Sequence, residues 1–311
     1  MLRFVVRRLF SLVPTLFLIV TLSFFIIRVA PGGPFSGEKN LPPEILQNIM
    51  RKYHMDESLP KQYLRYMGEI LRGDLGPSYK YKDYTVNELI GRSLPNSMIL
   101  GVVSLVIAII AGISVGIVSA LRQNTALDYA SMSLAIVGIS IPLFVIGPLF
   151  MLLFASYLKW LPTSGWIFNR YGLDLRPLIM PALTLSFPYF AYIARLSRAS
   201  ILEILRSDYI RTARAKGLKE SVVVVKHVLK GALLPVVSYL GPAFAGIVTG
   251  SVVVEKIFVV PGLGGFFVNS ALNRDYTLIM GTVIVYSAIL VVMNFVVDVL
   301  YGAIDPRISY K

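Results

Sequence analysis

The chain has 311 residues, of which 56% are hydrophobic and 15% are charged, with a net charge of +13 at pH 7. Soluble domains carry about 25% charged residues, so this composition predicts a membrane protein. The chain has no cysteine, which excludes disulfides and thiolate sites, and its two histidines, His54 and His227, are too separated for a zinc site. Nucleic acid is not an expected partner, because the positive charges lie between apolar runs and are better explained by orientation in a bilayer.

Six apolar stretches are long enough to cross a bilayer as helices, which takes about 20 residues each. The first follows several basic residues and so also resembles a signal peptide, but its length favours a retained membrane helix. Prolines recur in the spans, for example at Pro142 and Pro188, and each is expected to kink its helix, which suits a gated path. The six stretches are Leu9–Ile27, Ser97–Leu121, Tyr129–Leu158, Leu178–Ala194, Leu233–Val254 and Leu278–Leu300.

Lysine and arginine are unevenly divided between the two sides that these spans define. With the N-terminus inside, 15 lie on the inner side, including nine between Arg195 and Lys230, and only five lie in the two short outer loops. The remaining ten lie between Arg28 and Arg92, mostly in a loop too long to inform on topology. Because short cationic loops stay in the cytoplasm, we expect both termini to be cytoplasmic.

The long outer segment after the first span contains two groups of apolar residues at helical spacing. One group follows Pro42-Pro43 and the other ends just before Gly73, which predicts a small cap of two helices. The segment suits equally a lid over the helix ends and a docking surface for an external partner. The two groups are Leu46, Ile49, Met50 and Tyr53, and then Tyr63, Leu64, Met67 and Leu71.

Sequence patterns of energy-coupling chemistry are missing from the chain. There is no G-x-x-x-x-G-K-[ST] motif to bind ATP phosphates, and PGLGG (Pro261–Gly265) opens no βαβ unit, so it is interpreted as a tight turn. Glu255 and Asp298 lie near span ends, so intramembrane proton relays are not evident. Sodium held by carbonyls and hydroxyls keeps a secondary transporter as an alternative.

A serine motif in the second span has two interpretations. GISVG (Gly112–Gly116) matches the G-x-S-x-G nucleophile elbow, but Ser114 falls in the middle of a predicted helix, and neither histidine lies in a span to act as base. The small residues at four-residue spacing instead predict a helix-packing face. Gly246 and Gly250 repeat this pattern in the fifth span.

The inner loop between the fourth and fifth spans, residues 196–232, is predicted to contain a short helix. Ser207 is a suitable N-cap, and Arg214 suits the negative end of a helix dipole. Gly217 can take the left-handed conformation that ends a helix. The pattern predicts a helix of about nine residues, roughly 13 Å long, that a soluble partner can push against. A plain basic loop is the simpler interpretation of the charges alone.

The same loop resembles the EAA loop of ABC importer permeases, E-A-A-x-x-x-G followed by I-x-L-P. Thr212, Ala213 and Gly217 occupy matching positions, while Arg211 replaces the Glu and a K-H-x-L stretch stands where I-x-L-P would fall, as in the peptide branch. The resemblance implies a coupling helix that fits a cleft on an ATPase subunit. The residues that it assigns to this role are Arg211, Thr212, Ala213, Arg214, Ala215, Lys216 and Gly217.

Four further stretches extend the resemblance over the whole chain, which is similar to the B-type permeases of oligopeptide importers. Related dipeptide, glutathione and nickel permeases share parts of these motifs. The resemblance implies an all-α membrane protein with six transmembrane helices and a long external loop after the first. The stretches are GPSYKYKDYTVNEL (Gly76–Leu89), GPAFAGIVTGSVVVE (Gly241–Glu255), PGLGGFFVNSALNRDY (Pro261–Tyr276) and DVLYGAIDPRI (Asp298–Ile308).

The resemblance also implies an organisation and a set of partners. Residues 1–31 are expected to hold the N-terminal segment and first helix, 32–95 the external cap, and 96–311 a five-helix permease core with the coupling loop. The partners would be a second homologous permease, two cytoplasmic ATPases, an external peptide-binding protein, the oligopeptide and lipid of a bacterial inner membrane. The chain itself would carry no catalytic residue, metal or cofactor, with ATP and magnesium bound by the ATPases.

Overall fold

The computed structural model describes residues 2–29, 33–35, 42–169 and 172–304, and this part of the chain is mostly helical. Two π-helical segments, Met151–Tyr157 and Val223–Val228, extend neighbouring α-helices, and β1 (Phe168–Asn169) pairs with β2 (Gly172–Leu173) in an antiparallel hairpin. The helices are α1 (Leu2–Val29), α2 (Pro43–Lys52), α3 (Leu59–Leu71), α4 (Val86–Leu121), α5 (Ala126–Ser140), α6 (Leu143–Phe150), α7 (Arg176–Leu205), α8 (Asp208–Ala215), α9 (Glu220–Val222), α10 (Leu229–Ala232), α11 (Leu234–Gly250), α12 (Val252–Phe258), α13 (Leu263–Asn273) and α14 (Tyr276–Ile304).

Four of the described helices are long and apolar enough to cross a membrane: α1, α4, α7 and α14. Three bent helix pairs pass the same test, so the described residues hold between 4 and 7 candidate spans. The predicted C-terminal stretch beyond residue 304 lies outside the described residues.

The third predicted span, Tyr129–Leu158, is broken rather than kinked. Its two halves, Ala126–Ser140 and Leu143–Tyr157, meet at 110°. Ile141, just before Pro142, is extended, with φ −88° and ψ 123°. Proline disfavours the helical conformation of the preceding residue and donates no backbone hydrogen bond, which allows the break at this position. The prolines inside α7 and α11 leave those helices continuous.

The cap consists of α2 and α3, as the apolar spacing predicted. It rests on α1 and α14, where Tyr66 packs with Val20, Phe24 and Met280. The Tyr63 hydroxyl lies 2.8 Å from Thr21 Oγ1 and adds a polar contact to α1. This contact region defines the cap end of the molecule.

The core is built around α4 and α7, which pack along much of their length, with α5 on α7 and α11 on α14. Leu100, Leu185 and Ile247 are fully buried where α4, α7 and α11 meet. Apolar lipid gives little driving force for helix association, so close van der Waals packing of this kind holds the bundle. α1 packs mainly on α14 and lies at the periphery.

At the other end of the bundle, α4 finishes, α5 begins and α7 leads into α8. Arg198 of α7 forms a bidentate ion pair with Asp128 of α5, in which the Nε–Oδ1 and Nη2–Oδ2 distances are both 2.7 Å. Ser119 of α4 donates a further hydrogen bond to the same carboxylate. We call this the loop end; a paired, hydrogen-bonded charge here fixes the three helices relative to one another.

Candidate functional site

The predicted coupling helix is α8, Asp208–Ala215, at the loop end. Ser207 occupies the N-cap position, but its hydroxyl donates to Ile204 O at 2.7 Å instead of accepting from the helix. Gly217 adopts φ +77°, the left-handed conformation that the sequence predicted. Its N–H donates to Arg214 O at 2.9 Å, so the helix ends in a tight turn that glycine permits without strain.

One side of α8 is anchored in the bundle. Ile210 is 0% exposed and Ala213 is nearly as buried, and both pack in a cluster with Ile201 of α7 and Val223 and Val228 of the second π-helical segment. This apolar anchor fixes the helix against the ends of the long helices. α8 is therefore packed directly against α7 and the second π-helical segment.

The other side of α8 is a cationic surface. Arg211, Arg214 and Lys216 are exposed there, and Thr212 and Ala215 are exposed beside them. Asp208 lies 3.6 Å from Arg211, but both side chains are almost fully in solvent, so this pair adds little stability. The α8 surface is thus a short, anchored and positively charged protrusion.

An ion pair closes the turn after α8. Arg214 Nη2 and Nε lie 2.6 Å and 3.1 Å from the two carboxylate oxygens of Glu220. The hydrogen bonds to Glu220 raise the pKa of the Arg214 guanidinium above its ordinary value, which keeps it charged. The pair joins the end of α8 to the start of α9 across Gly217, so the turn is held from both sides.

The predicted packing glycines lie at close helix contacts. A Cβ on Gly112 would lie 2.8 Å from Ile193 Cβ, and a Cβ on Gly116 would lie 2.6 Å from Ser197 Cβ. A Cβ on Gly246 would lie 2.8 Å from the Tyr189 hydroxyl. The surroundings of Gly250 lie outside the described side chains. The packing role stays a prediction that these distances support.

The carboxylate of Glu255 lies at the cap end, and its burial was not predicted from the sequence. Glu255 is 2% exposed, and its Oε1 accepts from Ser97 Oγ at 2.7 Å and from Ser251 Oγ at 2.6 Å. Its Oε2 accepts from the Gly264 N–H at 2.9 Å, at the start of α13. The PGLGG segment is therefore not only a tight turn, because it also supplies the helix N-terminus that holds this carboxylate.

Comparison with protein families places the chain in a group of transporters. The family described as "Binding-protein-dependent transport system inner membrane component" matches residues 112–310, and its N-terminal companion matches residues 1–101. The chain belongs to this family. Membership of an inner-membrane component family accounts for the long apolar helices.

The relatives of this transport component include named peptide permeases. It is 50% identical over 310 residues to the oligopeptide transport system permease protein OppB of Escherichia coli (strain K12), covering 100% of both chains. It is 44% identical over 309 residues to the dipeptide transport system permease protein DppB of Bacillus subtilis (strain 168), covering 99% of this chain and 98% of the relative.

Among solved structures, this permease resembles a chain of the MetNI methionine ABC transporter in an inward-facing conformation. The TM-score is 0.56 at 20% sequence identity, and the match covers 70% of this chain and 96% of the other. At that identity the likeness concerns the fold alone. It shows that most of this chain shares the fold of the matched chain.

The hydrolase interpretation of GISVG does not fit this permease. Ser114 lies within α4, far from either end, and its side chain is exposed on the helix surface. A nucleophile elbow requires a turn between a strand and a helix. His54 lies at the cap and His227 in the second π-helical segment, so neither is placed on α4 or beside it in sequence.

Proposed function

We propose that this chain is the translocation subunit of an ATP-driven importer for oligopeptides in a bacterial inner membrane. The observation that carries the proposal is the identity of 50% over the whole length of both chains with an oligopeptide permease. A dipeptide importer is the second candidate, since a dipeptide permease is 44% identical over nearly the same length.

The contacts of the α12–α13 pair favour six membrane crossings rather than seven. The α12–α13 pair is bent by 103°. Its bend lies beside the first third of α4, where Asn96 donates to Pro261 O, and Asp275, which follows α13, accepts from the Tyr79 N–H in the loop after the cap. We infer that this pair re-enters the membrane surface without crossing it. The six crossings are then α1, α4, the α5–α6 pair, α7, α11 and α14. The uneven distribution of lysine and arginine favours a cytoplasmic loop end and an external cap.

In this mechanism the chain moves peptide without covalent chemistry. ATP and magnesium bind to two cytoplasmic ATPase subunits, which contact the cationic surface of α8. Their closure pushes α8, and because Ile210 and Ala213 anchor that helix to the bundle, the push turns the long helices against a second permease. An external binding protein delivers peptide at the cap end.

A secondary transporter is disfavoured by the positions of the buried acids. Asp128, Glu255 and Asp275 each lie at a helix end and accept hydrogen bonds from neighbouring hydroxyls and N–H groups. Proton relays instead use ionisable groups inside the membrane that face a cavity. The three acids therefore hold helix ends together, and the energy for transport comes from the ATPases.

The first test of the proposal is to identify the proteins that purify with this chain. Purification of the chain from its native membrane in mild detergent should recover a second six-helix permease and P-loop ATPases. Recovery of the chain alone, with transport intact after reconstitution, would overturn the importer function.

Gly217→Val should uncouple ATP hydrolysis from peptide uptake, because a β-branched residue cannot adopt φ +77° without strain. Gly73→Val is the matched control, since Gly73 also has φ +77° and open surroundings but lies at the cap. We expect uptake per ATP to fall at least tenfold in the first variant and to stay near wild type in the second. Equal uptake in both variants would contradict the lever mechanism.

A further inference from the structure

A second site lies at the cap end, between the cap, the last turn of α1 and the first turns of α14. Two cavities meet there, with volumes of about 270 Å³ and 480 Å³, and Arg28, Gln62 and Tyr276 line both. Together they reach the size of a small-molecule pocket, roughly 300–1,000 Å³. The site shares no residue with the α8 surface and does not depend on the proposed transport function.

Cations predominate in the smaller cavity. Arg28, Lys52 and Arg65 line it, and Glu69 is the acidic residue of the same lining. Arg65 is already paired, because its Nη2 lies 2.5 Å from Glu57 Oε1 outside the lining. Arg28 and Lys52 therefore leave a local excess of positive charge, which attracts an anion.

Arg28 is the charge best placed to hold that anion. Its Nε donates to Gln62 Oε1 at 3.1 Å, and its guanidinium lies 3.5 Å above the centre of the Phe24 ring. Across the ranges that the structure describes, no carboxylate forms an ion pair with it. The neutral Gln62 and Phe24 thus orient the guanidinium while leaving its charge available to a ligand.

Tyr66 gives independent support for a ligand site in this cavity. The residue is 7% exposed and lines the smaller cavity. Within the described part of the chain, its hydroxyl is buried without a hydrogen-bond partner. A buried hydroxyl left unpaired costs free energy, so such groups are rare unless something else completes the bond. A phosphate oxygen in this cavity would accept from both the hydroxyl and the guanidinium.

The larger cavity is apolar and adjoins the membrane-facing surface of α1. Phe35, Leu46, Met50, Met55 and Leu59 line it. On the same last turns of α1 that carry Arg28, the side chains of Phe25, Ile26 and Val29 are exposed. An apolar chain can therefore pass from the membrane into the larger cavity while a charged group stays with the cations.

We propose that the joined cavities bind an acidic phospholipid, with its phosphate at Arg28 and Tyr66 and an acyl chain among the apolar residues of the larger cavity. A soluble anion would satisfy only the smaller cavity, and an uncharged amphiphile only the larger one. The bound lipid would tie α1, which packs mainly on α14, to the cap.

The test is native mass spectrometry of the full chain in mild detergent, titrated with phosphatidylglycerol, with phosphatidylcholine or with inorganic phosphate. We expect one phosphatidylglycerol to be retained in preference to phosphatidylcholine, and excess inorganic phosphate to leave it bound. Equal retention of the two lipids, or displacement by inorganic phosphate, would overturn the lipid site. Retention of a segment of an external protein in place of lipid would overturn it as well.

Three variants locate the site. Arg28→Gln should weaken phosphatidylglycerol binding about fivefold, the equivalent of roughly 1 kcal/mol for one cation near a lipid surface. Tyr66→Phe keeps the ring and removes the hydroxyl, so it should weaken binding with little effect on folding. Arg72→Gln is the matched control, because Arg72 is exposed on the same cap but does not line either cavity. Unchanged binding in both of the first two variants would refute the assignment.

Discussion

At the scale of single residues, Glu255 shows how a charge can be stabilised inside a membrane protein. Two serine hydroxyls, one backbone N–H and the N-terminus of α13 all point at its carboxylate. A Cβ at Gly262 would collide with that carboxylate, so glycine is required at this position for the close approach. Burial of a charge is tolerated here because every oxygen has a donor.

Glu255→Gln should lower the stability of the chain by about 1–3 kcal/mol, since the amide nitrogen replaces one carboxylate oxygen and cannot accept the hydrogen bond that this oxygen received, either from the two serines or from Gly264. The measurement is the thermal unfolding midpoint of the full chain in detergent. Glu203→Gln, which changes an exposed carboxylate on α7, should leave the midpoint unchanged. A wild-type midpoint for Glu255→Gln would show that the hydrogen bonds are dispensable.

The sequence could place this carboxylate but could not predict its burial. Ser97 and Glu255 are 158 positions apart along the chain, and only the packing of α4 against the α12–α13 bend brings them together. Gly217, in contrast, was predicted correctly, because the end of a helix is encoded in a few neighbouring residues. Structure that depends on neighbouring residues could be predicted from the sequence, and contacts between distant segments could not.

At the scale of elements, the close contact between α4 and α7 depends on glycines, which have no side chain to keep the two helices apart. Gly112 and Gly116 let α4 approach the backbone of α7, where a Cβ on Gly116 would lie 2.9 Å from Ala194 O. A methyl group there must push the helices apart, and overpacking of this kind costs about 1–3 kcal/mol.

Gly116→Ala should therefore destabilise the chain by about 1–3 kcal/mol. Gly91→Ala is the control on the same helix, because no atom lies within 4 Å of a Cβ there, and alanine is the better helix former. We expect the unfolding midpoint to fall for Gly116→Ala and to stay level or rise for Gly91→Ala. If the two variants have the same unfolding midpoint, the close contact at Gly116 does not contribute to stability.

Hydropathy predicted where the apolar elements lie but not how they bend. The cap helices and α8 were predicted within a few residues, since prolines, glycines and apolar spacing mark their ends. The 110° break between α5 and α6 was expected only as a kink at Pro142, because the angle depends on what packs on either side of the proline. The 103° bend between α12 and α13 was likewise not predicted.

At the scale of the whole molecule, the two ends are held by different means. The loop end is fixed by the ion pair between Asp128 and Arg198 beside α8. The cap end is fixed by Asp275, which is 0% exposed and accepts hydrogen bonds from the Tyr79 and Leu278 N–H groups at 3.1 Å and 3.2 Å. One carboxylate thus joins the loop below the cap to the first turn of α14.

Asp275→Ala should release the cap-end loop while leaving the bundle folded. Removal of the shared acceptor leaves the Ser78 hydroxyl and the Tyr79 N–H without their partner, so local opening becomes easier by roughly 1–3 kcal/mol, which raises the exchange rate about 5- to 150-fold. Hydrogen exchange of the full chain in detergent should show this at residues 78–81 and not in α7. Asp56→Ala, at an exposed position of the cap, should leave exchange there unchanged. Faster exchange throughout the bundle would mean that Asp275 supports the whole fold rather than the attachment of the cap.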